Sequence, residues 1–289
     1  MLNIIYADKV KGIFTCNRRG NGMKDLKAGY GLDPEGYIVS DVSFDKINKI
    51  YKPCIQDSIE CLAQLFPSDL HSVYVYGSVA RGDAVVVQSD LDLIAMFNRK
   101  LSSAQLEELK KLSRKLTNNY QFLVREVGIA VADYDYTMAP SNYYENAFHR
   151  ELSVCVFGDD VGERFGPYTL TSKIAISFNG DICEALTRTL TRLEKASNEE
   201  FTKISQNFAR KLIRTYYSMV MVRAQIWTSQ LKEQAEVIIN SLPEKASIIS
   251  TLLKWIEELP TDQKTVFNLL ELEGRWACEH FDREAHTPY

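Results

Sequence analysis

Residues 73–97 read Val73-Tyr-Val-Tyr-Gly-Ser-Val-Ala-Arg-Gly-Asp-Ala-Val-Val-Val-Gln-Ser-Asp-Leu-Asp-Leu-Ile-Ala-Met-Phe97, two apolar runs joined by a turn bracketed by glycines. Val73 to Tyr76 is β-branched and aromatic, the composition of a strand, and Gly77-Ser78 ends it where a backbone must come close to a ligand. Ser78 opens a predicted helical turn, and its hydroxyl, with the free backbone N–H groups of that turn, makes a site for an anion such as a phosphate. The second run predicts a strand over Leu91 to Phe97. Asp90 and Asp92 are spaced i and i+2 on it, so their carboxylates share one face of the sheet. Two such carboxylates repel each other. A hard divalent cation, Mg²⁺, relieves that repulsion by taking carboxylate and phosphate oxygens together.

In this order, Gly77-Ser78, Arg81-Gly82-Asp83 and Ser89-Asp90-Leu91-Asp92-Leu93 resemble the signature of the DNA polymerase β-like nucleotidyltransferases. A Gly-Ser pair alone, or an Asp-x-Asp alone, carries little information. Strand, Gly-Ser, helical turn and Asp-x-Asp in succession form a specific joint pattern. The resemblance implies an α/β (α+β) nucleotidyltransferase domain with a short mixed sheet. It places ATP against Gly77, Ser78, Arg81 and Ser89, and two Mg²⁺ ions on Asp90 and Asp92. The superfamily carries a third acidic residue on the strand next to Asp-x-Asp. The stretch Phe122 to Ala132 predicts that strand, and its Glu126-Val-Gly-Ile-Ala-Val is similar to the Glu-Val-Thr-Val-Val-Val strand of aminoglycoside adenylyltransferases. Glu126 is thereby the candidate third metal-binding carboxylate and the base that deprotonates the acceptor. Asp133 and Asp135 are the alternatives, and the bland reading of Glu126 is pairing with Arg125 or exposure at a strand edge.

A chain of 289 residues suits one or two domains. We expect a loop-rich extension over residues 1–44, a catalytic domain over 45–164 and a helical bundle over 165–289. Six of the fourteen glycines fall within the first 36 residues, including Gly20, Gly22, Gly29 and Gly31, beside Arg18, Arg19, Lys24 and Lys27. No strand-to-helix context there supports a dinucleotide fingerprint. Ile47, Ile50, Tyr51, Ile55, Ile59, Leu62 and Leu65 trace an amphipathic segment over 44–66, with Pro53 marking a kink or a break. Ser102 and Ser103 ahead of Glu107 predict a capped crossover helix over 101–120.

Beyond Thr171 the apolar rhythm is helical to the end. Ile182, Leu186, Leu190 and Leu193 mark one helix, and Phe201, Ile204, Phe208, Leu212, Tyr216 and Val220 a longer one. Three more are expected near 230–241, 244–259 and 262–284. On the long helix Arg210, Lys211 and Arg214 lie off the apolar line, either as a solvated stripe or as a clamp on a triphosphate, and we assign Lys211 and Arg214 to nucleotide binding. Leu212-Ile-Arg-Thr-Tyr-Tyr-Ser218 is similar to Leu-Ser-Arg-Ile-Trp-Tyr-Ser of streptomycin and spectinomycin adenylyltransferases. Where those enzymes have an acidic residue upstream, this chain reads Lys203-Ile-Ser-Gln-Asn207.

A net charge of −4 lacks the basic excess that a long nucleic acid demands. No apolar run is long enough to span a bilayer, and the first residues do not form a secretory signal, so we expect a cytoplasmic protein. Six cysteines without Cys-x-x-Cys spacing suggest neither zinc nor a disulfide framework. The carboxylates and tyrosines of 133–168 read either as a surface that would attract a cationic, hydroxyl-bearing acceptor or as a solvated acidic loop, and no obligate protein partner is evident. The expected activity is adenylyl transfer from ATP to an aminoglycoside hydroxyl, a resistance chemistry. The alternatives are adenylylation of a protein or RNA, and a nucleotide-binding module without catalysis.

Overall fold

The computed structural model describes residues 3–5 and 26–286. Gly20, Gly22, Arg18, Arg19 and Lys24 of the expected extension lie outside the described residues. The chain divides into two compact units: Ser40–Pro167 with the first strand, and Tyr168 onward with the segment ending at Val39.

The first unit is built on a five-stranded mixed sheet in the order β1-β4-β3-β2-β5. The strands are β1 (Asn3–Ile5), β2 (Leu70–Tyr76), β3 (Leu91–Phe97), β4 (Val127–Asp133) and β5 (Ser153–Gly158). Only β3 and β4 are parallel; the other neighbours are antiparallel. The helices of this unit are α1 (Lys52–Leu65), α2 (Gly77–Arg81), α3 (Ser103–Asn119), α4 (Tyr134–Met138) and α5 (Ala147–Glu151). Pro53 stands in the first turn of α1 rather than kinking a longer helix, because a missing N–H costs nothing there. Ahead of it, residues 44–51 form two short 3₁₀ turns. Helix α3 starts with a capping box, but Ser102 shares it with Gln105, not with Glu107.

One face of the sheet, with Val73, Val75, Leu91, Leu93, Ala95, Phe97, Val127 and Ile129, packs with Ile55, Ile59 and Leu62 of α1 and Leu109, Leu112 and Leu116 of α3. Alternation puts Tyr74, Tyr76, Asp92, Ile94 and Gly128 on the opposite face. The apolar residues of the sheet therefore aim Asp92 away from the core formed with α1 and α3.

Two expectations need correction. The strand read over Phe122 to Ala132 begins only at Val127. After α3 the chain turns, with Leu123 and Val124 donating to the Tyr120 carbonyl, and both side chains are buried as turn residues. The Thr117 hydroxyl then accepts from Val127 N and sets the strand's start. The extension read as loop contains β1, which pairs with β4 from Asn3↔Val131 to Ile5↔Ile129.

The second unit is helical: α6 (Ser172–Asn179), α7 (Ile182–Leu193), α8 (Asn198–Ala224), α9 (Leu231–Ser241), α10 (Ala246–Glu257) and α11 (Gln263–Ala285). Helix α8, 27 residues long and capped by Ser197 with Glu200, has α6, α7, α9, α10 and α11 packed against it. Segment 26–39 joins this unit through Gly29 N to the Gln225 carbonyl (2.7 Å) and Trp227 N to the Tyr30 carbonyl (2.9 Å). The fold class is thus the expected one, an α/β domain followed by a helical domain. Among the described residues no helix is long and apolar enough to cross a membrane.

Candidate active site

The candidate site grows from the start of β3. In the antiparallel ladder Asp92 faces Tyr76, the last residue of β2, so the Gly77-Ser78 turn begins beside the Asp92 carboxylate. Gly77 adopts φ +72°, and a Cβ there would lie 2.7 Å from Asp92 Oδ2. Only glycine combines that backbone with that approach. On the other side, the parallel register puts Asp92 opposite Gly128, where a Cβ would meet Asp92 Oδ1 at 3.5 Å. Each oxygen of the Asp92 carboxylate therefore has a position without a side chain next to it. This leaves room for other ligands around the carboxylate.

Backbone pairing continues past the strand ends, Leu91 N to the Glu126 carbonyl at 2.9 Å and Arg125 N to the Ser89 carbonyl at 3.0 Å. That continuation brings Asp90 beside residues 125 and 126. Glu126 is buried, at 8% exposure, immediately before β4. Arg125, the partner that the bland reading offered for Glu126, forks onto Asp90, its Nε and Nη2 donating to Asp90 Oδ1 and Oδ2 at 2.9 and 2.5 Å. The hydrogen bonds that the arginine donates to Asp90 are the main influence raising its pKa above the ordinary value. The negative charges of Asp90, Glu126 and Asp92 add to it. The sequence reading named no role for Arg125 and did not foresee its fork onto Asp90. The pairing follows from the parallel register of β3 and β4, since Asp90 and Arg125 each lie just ahead of one of these strands.

The other assigned residues spread out. Ser78 stands in the first turn of α2, and its carbonyl accepts from Asp83 N at 3.1 Å. Arg81 donates its Nε to Asp83 at 3.1 Å, so its charge is partly neutralised within the turn. The Ser89 hydroxyl accepts from Val85 N at 2.9 Å and ties the loop ahead of Asp90 into a closed turn. Within that loop Val87 has φ +66° and donates its N–H to the Leu123 carbonyl at 2.9 Å. A β-branched residue in the left-handed region is strained. Nothing in the sequence marked it.

Asp133 lies five residues beyond Gly128 on β4, about 16 Å along the strand from the level of Asp92. Its carboxylate caps α4 by accepting from Tyr136 N at 2.8 Å. Asp135 is farther along, on α4 itself, so neither alternative to Glu126 stands with Asp90 and Asp92.

Lys211 and Arg214 lie on α8 of the helical unit. The Lys211 ammonium contacts Asp181 at 2.5 Å and Asn179 Oδ1 at 3.0 Å, and burial lowers its pKa against the pull of Asp181. It borders a hollow of about 230 Å³ with Arg188, Arg192 and Asn207. The Arg214 side chain is exposed.

Among the described residues no three His, Cys, Asp or Glu side chains are already gathered around a point that would hold a metal. Asp90 and Asp92 nevertheless offer hard oxygen donors, the set Mg²⁺ prefers. A side chain at Gly77 would crowd Asp92 Oδ2, and its absence suits this carboxylate to such an ion.

Residues 55–150 match the family model of the nucleotidyltransferase domain. No curated protein matches the chain. Among solved structures the chain is similar to spectinomycin adenyltransferase AAD(9) from Enterococcus faecialis, determined with ATP and spectinomycin. The TM-score is 0.49 and the identity 13%, covering 78% of this chain and 99% of that one. The matched segment contains Gly77, Ser78, Asp90, Asp92 and Glu126, the residues that the sheet brings to one end of β3. Residues 55–150 are therefore a nucleotidyltransferase domain.

Proposed function

We propose that the protein transfers AMP from ATP to a hydroxyl of an aminoglycoside, releasing pyrophosphate. The observation that carries the transfer chemistry is the register at the start of β3. Asp92 lies between Gly77 and Gly128, and Asp90 lies level with Glu126. The acceptor rests on the likeness of Glu126-Val-Gly-Ile-Ala-Val and of Leu212 to Ser218 to the corresponding stretches of aminoglycoside adenylyltransferases.

In this reading Asp90 and Asp92 hold Mg²⁺ with oxygens of the triphosphate, two ions being the superfamily's number. When bound, the metal neutralises charge on the attacking and leaving oxygens of an in-line displacement. The Ser78 hydroxyl and the amides of its turn donate to the phosphates and fix their position. Arg81 and Ser89 shape that turn from either end. Glu126 accepts the proton of the acceptor hydroxyl as its oxygen bonds to the α-phosphorus and the bond to pyrophosphate breaks. General-base help of this kind is worth ~10² to 10⁴ in rate.

The test is pyrophosphate release from purified protein with Mg²⁺, each nucleoside triphosphate in turn and a panel of aminoglycosides. Release with ATP that requires a drug supports the reading. Label transferred to protein or RNA, or nucleotide binding without release, overturns the acceptor or the activity respectively.

A further inference from the structure

The site contains a cation already. The Arg125 guanidinium forks onto both oxygens of Asp90. It is also close enough to Glu126 and Asp92 for their charges to act on it. One positive charge is thus shared among the three carboxylates assigned above to metal and proton transfer. The fork is also accessible, since the side chains of Arg125 and Asp90 are 52% and 18% exposed. Opening it returns the half-exposed guanidinium to water and leaves the largely covered Asp90 carboxylate in need of another cation.

A divalent ion arriving alone has to displace this fork and then sit beside the displaced arginine, like charge against like. A divalent ion arriving with a triphosphate brings net negative charge and offers the freed fork phosphate oxygens of matching geometry. From this geometry we infer that Arg125 is a positioning residue that holds Asp90 before ligand arrives and yields it to the metal only together with nucleotide. The inference rests on the assignment of metal to Asp90 and Asp92. It adds an order of binding: nucleotide and metal load together, and the protein has little affinity for the metal alone.

Mn²⁺ binding to the full-length protein, followed by the loss of the free-ion electron paramagnetic resonance signal, tests this without turnover. Measurements are made with and without a non-hydrolysable ATP analogue. Wild-type protein should bind Mn²⁺ weakly alone and about tenfold or more tightly with the analogue. Arg125→Ala should bind Mn²⁺ alone about tenfold more tightly than wild type and gain less from the analogue. Arg125→Lys, which keeps the charge and loses the fork, should fall between them. Arg99→Ala, which removes a fork of the same geometry elsewhere, should match wild type. If Arg125→Ala binds Mn²⁺ alone no better than wild type while Asp90→Asn still loses the binding seen with the analogue, the role of Arg125 is wrong and the metal assignment stands. If Asp90→Asn binds as wild type does under every condition, the metal assignment fails and the role of Arg125 falls with it.

Discussion

Strand β3 has an arginine–aspartate fork near each end, and the two are nearly identical as ion pairs. At its start Arg125 holds Asp90 at 2.9 and 2.5 Å, and past its end Arg99 holds Asp69 at 2.9 and 2.6 Å. The exposures match as well, 52% and 18% against 56% and 21%. Geometry and solvation alone would give both the small stabilisation of a surface pair, about 0.2–1 kcal/mol. Their surroundings differ. The Arg99 pair lies where β2 and β3 run out into turns, with Asn98 N donating to the Asp69 carbonyl. The Arg125 pair lies beside Glu126, Asp92 and a left-handed glycine whose missing side chain makes space at a carboxylate. An ion pair therefore says little about function until the backbone and charges around it are considered.

The largest contrast between the two ends should come from neutralising their aspartates. Asp90→Asn or Asp92→Asn should reduce pyrophosphate release about 10³-fold, the several kcal/mol that a metal contributes to such a displacement. Asp69→Asn should leave release as it is. Equal losses from Asp69→Asn and Asp90→Asn would erase the distinction between the two ends.

A second variant sharpens the backbone side of the contrast. Gly77→Ala places a methyl 2.7 Å from Asp92 Oδ2 at φ +72°, so the carboxylate must move. We expect about a 10²-fold loss of kcat/KM from misplacement, with a stability cost of only about 1–2 kcal/mol from the left-handed backbone. Steady-state kinetics together with thermal melting separate the two effects. Wild-type kinetics would mean that the Asp92 position is not needed for catalysis.

Ser78→Ala removes one hydrogen bond to phosphate and leaves the turn's amides in place. A bond to a charged partner is worth ~1.5–3 kcal/mol, so kcat/KM should fall by roughly one to two orders of magnitude. Unchanged kinetics would remove this turn from the phosphate site. At the far end of β3, Arg99→Ala should cost only about 0.2–1 kcal/mol in urea unfolding and nothing in turnover.

Much of this was legible in the chain because the informative residues are close in sequence. The Gly77-Ser78 turn, Asp90 and Asp92 lie within sixteen positions, and strand alternation is enough to put both carboxylates on one face. The long helix α8 announced itself through its apolar spacing. The start of β4 did not, because Leu123 and Val124 are buried in a turn and burial looks the same in a turn as in a strand. Three residues of β1 are too few for any periodicity. The partner of Arg125 depends on parallel pairing between distant strands, which local pattern does not encode. The same holds in the helical unit, where Lys245, Glu273 and Tyr216 meet in one buried cluster from three separate segments.

The central claim is that the carboxylates at the start of β3 hold a metal against the phosphates of a nucleotide. Crystals grown with Mn²⁺ and a non-hydrolysable ATP analogue, measured for anomalous scattering, test it most directly. The account predicts a manganese peak coordinated by Asp90 and Asp92, with Arg125 released from Asp90 and the phosphates beside Ser78. A nucleotide bound with no manganese at these carboxylates, or with the Arg125–Asp90 fork intact, would contradict it.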